Sequence, residues 1–220
     1  MSEWWTYAPE DFLLFSPRTY WRMFELQNEG LGIMPLLTFV SAAICAALRW
    51  FRAGVILSAL LWLFVGWSFL WGRFADINWA MTYVAPFFAI ESVVLLIVGV
   101  TATSVRHPRG LAPGIGYMLL LIALFVLPVL APIEGRGWPA AEIYGIAPDP
   151  TVIATLGFLL VLRGPMLWAA LPIPILWCLL SGLTLATMGE PQAWIPFLAA
   201  GLTGVAAITM AVRRPHPPRA

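Results

Sequence analysis

The chain has 220 residues, 61% of them hydrophobic and 10% charged, with a mean hydropathy of +0.87 and a formal net charge of +1. Soluble domains average about 25% charged residues, so this chain could not cover a soluble surface with polar groups, and its solvent must be largely lipid. The near-zero net charge, without any run of basic residues, excludes nucleic acid as a partner.

The opening stretch "MSEWWTYAPEDFLLF" carries acidic residues and no basic n-region, and does not read as a signal peptide. The next stretch, "SPRTYWRMFELQNEG" (16–30), begins with Ser16 as N-cap and Pro17 at the first helical position, and stops at Gly30. At helical spacing Arg18, Arg22, Glu25 and Glu29 share a narrow arc, and Tyr20, Met23 and Phe24 lie opposite. This is an amphipathic helix suited to the membrane interface, where it seals the outer face of a bundle, gates access or docks a partner.

A helix crosses the hydrocarbon in roughly 20 residues. Apolar spans follow at 31–48, 53–71, 79–103, 114–132, 150–162, 166–187 and 193–212. All basic residues are Arg, and they mark one side: Arg49 and Arg52 follow the first span, Arg106 and Arg109 the third, Arg163 the fifth, and Arg213, Arg214 and Arg219 the seventh. The opposite loops hold Arg73 with Asp76, then Glu134, Arg136, Glu142 and Asp149, then Glu190. The positive-inside rule then places the N-terminus outside and the C-terminus in the cytoplasm. The expected fold is all-α: an integral membrane bundle of seven transmembrane helices over 31–212. It has an extracytoplasmic tail with an interfacial helix over 1–30 and a cytoplasmic tail over 213–220. Trp4, Trp5, Trp71, Trp79, Trp138 and Trp194 fall near the outer interface, as an aromatic belt does.

Several chemistries are excluded. A retinal Schiff base needs a lysine, and the chain has none. His107 and His216 lie in a loop and the tail, so no histidine is placed to ligate a membrane haem. No H-E-x-x-H occurs, and no His is placed to serve a Ser-based intramembrane hydrolase. Cys45 and Cys178 sit in apolar segments without partners at metal or disulfide spacing. No enzyme activity, cofactor or metal is expected.

Glu91, in "PFFAIESVVLL", stands near the middle of its span. An ionisable group there costs on the order of 3 kcal/mol, so it faces the bundle interior or is protonated. Its own helix face offers Val84, Phe87, Phe88, Val94, Leu95 and Val98, none of which can hydrogen-bond a carboxyl. The partner must come from another helix or from water. The fifth span has only 13 residues from Pro150 to Leu162, about 20 Å of helix, against the roughly 30 Å of a hydrocarbon core. If "GIAPDP" dips inward as irregular chain, the helix starts below the outer surface, near the depth of Glu91. Glu91, Asp149 and Thr151 are then expected to converge on one polar cavity that binds a solute. Asp149 before Pro150 also reads as an ordinary N-cap, and the short span also reads as accommodation in a thinned bilayer.

The segments "WWTYAPEDFLLFSPRTYWRMFELQNEG", "INWAMTYVAPFFAIE", "GIAPDPTVIATLGFLL" and "IPILWCLLSGLTLATMG" together resemble a bacterial multi-pass membrane-protein family catalogued as a domain of unknown function, number six-zero-six-four. The resemblance runs over nearly the whole chain and implies a multi-pass protein of the bacterial inner membrane, without an activity to transfer. Two functions follow as expectations. One is transport of a small solute or ion through a cavity centred on Glu91. The other is a non-catalytic accessory or assembly subunit of a larger membrane complex. The partners expected are the lipid bilayer and a second copy or another membrane protein.

Overall fold

The computed structural model describes residues 13–107, 109–164 and 166–212. Its elements are nearly all helical. Helix α1 (Pro17–Leu31) is followed by α2 (Met34–Ala47), α3 (Phe51–Ile77), α4 (Met81–Thr101) and α5 (Leu111–Ile133). Then come α6 (Pro148–Val161), α7 (Pro172–Thr187) and α8 (Trp194–Val212). Strands β1 (Ser104–Val105) and β2 (Leu162–Arg163) form a small antiparallel pair, Ser104 opposite Arg163 and Val105 opposite Leu162.

Four helical segments are long and apolar enough to cross a membrane: α3, α4, α5 and Pro191–Val212, which contains α8. A fifth is reached if α1 and α2, bent by 90° at their junction, count together. Helices α6 and α7 are apolar but shorter. The first expected span is corrected to the 14 residues of α2, because Gly32, at φ +55°, turns the chain sharply after α1. The sixth expected span begins at Pro172, not 166. Pro172 and Pro174 have no N–H to extend helical bonding backward, and the turn before them bonds Ala169 N–H to Met166 O and Ala170 N–H to Leu167 O.

Helix α1 forms where the sequence places it. Ser16 Oγ accepts from Thr19 N–H at 3.2 Å, and Pro17 occupies the first turn. Tyr20, Met23 and Phe24 are buried, as are Trp21 and Gln27. Asn28 Nδ2 donates to Pro139 O and Ala141 O, tying α1 to the segment before α6. Trp71, Trp79, Trp138 and Trp194 are exposed, whereas Trp4 and Trp5 lie outside the described residues.

The core is built around α6, all 14 residues of which are buried. It is apolar on every side, the pattern of a helix with no solvent face, and it packs against α3, α5, α7 and α8. Close approach to α5 depends on two glycines. A Cβ on Gly116 would stand 2.7 Å from Gly157 O, and one on Gly157 2.8 Å from Gly116 O. Small residues at a crossing let backbones approach, which is how helices associate where lipid supplies no hydrophobic driving force.

Candidate functional site

The segment leading into α6 is irregular yet buried: Ala140, Ala141, Tyr144, Ile146 and Ala147 are each at most 1% exposed. Buried non-helical backbone needs internal partners, and they are present. Ala147 N–H donates to Ile143 O. Gly145 N–H donates to Thr151 Oγ1 at 2.7 Å, and Thr151 Oγ1 donates to Ala147 O at 2.6 Å. Tyr144 and Ser58 of α3 share a hydroxyl–hydroxyl bond of 2.9 Å. Gly145 has φ +78°, and a Cβ there would meet Leu61 at 2.7 Å. The chain over 144–147 is irregular and buried inside the protein, whereas Pro148, Asp149 and Pro150 are already helical; Thr151 staples the irregular stretch.

Asp149 is not the N-cap. Ala147, in extended conformation, caps α6, and Pro148, Asp149 and Pro150 form the first turn. A residue before proline is pushed to extended geometry, and prolines suit a first turn whose N–H groups have no helical partner. The Asp149 carboxylate turns toward α7 instead. It accepts from Trp177 Nε1 at 2.7 Å and from Ser181 Oγ at 2.6 Å. Ser181 lies six residues before Thr187, the end of α7, or roughly 9 Å along a helix. The start of α6 is therefore sunk below the end of its neighbour.

Glu91 is completely buried on α4, and neither carboxylate oxygen has a hydrogen-bond partner among the described residues. Its neighbour Ser92 donates to Ala59 O of α3 at 2.7 Å. One turn away, Phe88 packs against Trp62 at 4.3 Å and edge-on against Trp177 at 5.0 Å between ring centroids. Trp177 thus links the two regions, with its N–H on Asp149 and its ring on Phe88. The three expected site residues do not bond to one another: Thr151 holds the irregular stretch, Asp149 holds α7, and Glu91 stands unpartnered.

A second polar group lies above them, in which the loop charges Glu134, Arg136, Glu142 and Glu190 meet Trp21 and Gln192. Arg136 stands over the Trp21 ring at 3.5 Å and pairs with Glu134 at 2.6 Å and Glu190 at 3.1 Å. Trp21 Nε1 donates to the other oxygen of Glu190 at 3.0 Å. With its amide oxygen and nitrogen exchanged, the assignment that its neighbours require, Gln192 donates to Glu134 Oε1 at 3.0 Å and accepts from the guanidinium at 3.2 and 3.3 Å. Glu142 is 2% exposed, and its Oε1 has no partner among the described residues. Burial pushes its carboxyl well above the usual range, Asp149 and then Glu134 and Glu190 add to this, and Arg136 opposes it. Burial likewise raises Glu134 against the pull of Arg136. The only advance signal was the clustering of Glu134, Arg136 and Glu142 in one loop.

One consequence is measurable. A carboxyl whose folded value is raised holds its proton while the unfolded chain releases it, so stability falls as pH climbs from the ordinary carboxylate range through the raised value. Glu142→Gln is permanently neutral at that position. Thermal melts in detergent across this range are expected to show the parent losing stability relative to Glu142→Gln as pH rises. Parallel curves would contradict it.

The arginine side is equally separate. Arg52 donates to Gly99 O and Val100 O at the end of α4, and Arg106 Nε donates to Leu162 O at 2.9 Å. Neither a curated protein nor a solved structure matches this chain. Residues 18–217 match the model of a family described as a family of unknown function, DUF6064, and the chain belongs to that family.

Proposed function

We propose that this chain is a seven-span protein of the bacterial inner membrane that moves protons or a small cationic solute by way of its interior carboxyls. Helix α2, the four long apolar segments and the two short helices α6 and α7 supply seven crossings, α6 being extended by the buried irregular chain over 144–147. Arginines gathered at one end support a cytoplasmic assignment for that end, with the N-terminus outside. The observation that carries the reading is two buried carboxyl groups that lack hydrogen-bond partners among the described residues, Glu91 at both oxygens and Glu142 at Oε1. A carboxylate without protein partners is too costly to bury charged, so each holds a proton or an exchangeable cation. Asp149, bonded to Trp177 and Ser181, lies between the outer cluster and the Phe88–Trp177 contact beside Glu91. Thr151 shapes this site by holding the irregular stretch before α6.

The test is ion and proton flux in proteoliposomes under an imposed potential, comparing the parent with Glu91→Gln. Flux at least about tenfold slower in the variant is expected, since a neutral amide cannot take up and release the charge. Equal flux in parent and variant would remove the transport reading and leave the non-catalytic subunit.

A further inference from the structure

At the arginine end a cavity of about 380 Å³ opens between the β1–α5 connection, the turn before α7 and the end of α8, lined by Arg106, His107, Gly110, Leu111, Arg163 and Thr209 among others. That volume lies within the range of roughly 300–1,000 Å³ typical of small-ligand sites. The β1–β2 pairing brings its two arginines together: Thr103 N–H bonds Arg163 O, and Arg106 N–H bonds Val161 O. Partial burial and the nearby Arg163 push the Arg106 guanidinium below its ordinary value. Two cations brought near each other repel, and an anion between them relieves that repulsion.

Among the described residues no carboxylate pairs with Arg106 or Arg163. Among the described residues, Arg49, Arg52, Arg106, Arg109 and Arg163 belong to the segments at this end, and no Asp or Glu does. The larger groove beside α1 differs, because there Arg18, Arg22 and Arg73 share the walls with Glu25 and Asp76. One of the apolar side chains that line the arginine cavity, Leu111, is 48% exposed.

We propose that this cavity seats the phosphate of an anionic phospholipid between Arg106 and Arg163, with the acyl chains leaving past Leu111. Basic pockets between helices on the cytoplasmic side take such headgroups, and the proposal rests on that side being cytoplasmic. The lipid would pin the β1–β2 connection to the leaflet and neutralise the paired guanidinium groups.

Native mass spectrometry in neutral detergent tests it, with phosphatidylglycerol, phosphatidylcholine and soluble glycerol phosphate as probes. The parent is expected to retain one phosphatidylglycerol selectively. Arg163→Gln should bind it about fivefold more weakly, the size of one basic contact near the surface. Arg163→Lys should keep most of the affinity. Arg49→Gln, at the same end but outside the cavity, should change nothing. Equal losses in Arg163→Gln and Arg49→Gln would reduce the effect to bulk charge and overturn the site, as would equal retention of phosphatidylcholine. Glycerol phosphate binding as tightly as the lipid would assign the cavity to a soluble phosphoester and overturn the lipid. Flotation of the same samples with vesicles separates the two failures. A chain that does not float refutes the membrane reading, whereas a floating chain without lipid selectivity refutes only this cavity.

Discussion

Replacing Arg136 by alanine is expected to destabilise the protein by about 2–4 kcal/mol, read as a lowered melting midpoint in detergent. Breaking a fully buried ion pair typically costs about 3–5 kcal/mol, because the abandoned charge stays behind. The side chains here retain 13–20% exposure, which places the loss somewhat lower. The substitution leaves Glu134 and Glu190 without their cation, and Glu142 without the one positive charge that opposes its protonation. It also uncovers the Trp21 face, which joins α1 to the rest of the protein. Arg136→Lys should recover only part of the loss, since an ammonium offers a point charge where the planar guanidinium serves two carboxylates and a ring. Adding Glu134→Gln to Arg136→Ala should return some stability, because groups in one network do not act additively. Additive losses across that pair would show that the cluster is not coupled.

The second large effect concerns the α5–α6 crossing. Gly157→Leu is expected to cost about 3 kcal/mol or more and to lower the yield of folded protein, measured by gel filtration and thermal melts. A Cβ at Gly157 already meets Gly116 O and Leu120 Cγ at 2.8 Å and Leu120 N at 3.1 Å. Two of these are backbone atoms, so no rotamer change relieves the contact and the helices must separate. Overpacking of a core usually costs about 1–3 kcal/mol, and here it displaces the most buried helix. Gly204 in α8 is the control, because a Cβ there meets nothing within 4 Å. Gly204→Ala should be neutral or gain up to about 1 kcal/mol from helix propensity. Equal losses at both positions would mean that backbone flexibility, not close approach, is what Gly157 contributes.

Much of the helical content was legible in the primary structure. Long apolar runs predict α3, α4, α5 and α8, and the Ser16–Pro17 pair predicts the start of α1, because these signals are local. Breaks and bends were less legible. Helix α3 runs on to Ile77 through a π-helical stretch over Gly66–Phe74, whose wider bonding pattern leaves no mark in composition. The prolines of "LPIPILW" stand at the start of α7.

The candidate site divides in the same way. Composition and spacing alone determined that this is a helical chain rich in long apolar runs, that loops holding only arginine alternate in sequence with loops holding the acids, and that Glu91 has no partner on its own helix. Those properties depend on one residue type or on neighbours three and four positions apart. Only the tertiary structure decided that Asp149 serves Trp177 and Ser181, not the helix end. It alone placed Arg136 between Glu134 and Glu190, residues 56 positions apart. Hydrogen bonds and ion pairs act over about 3 Å, so partners distant in the chain become visible only when packing brings them together. α6 shows why: its run of apolar residues names no face, and its burial is set by the four helices that surround it.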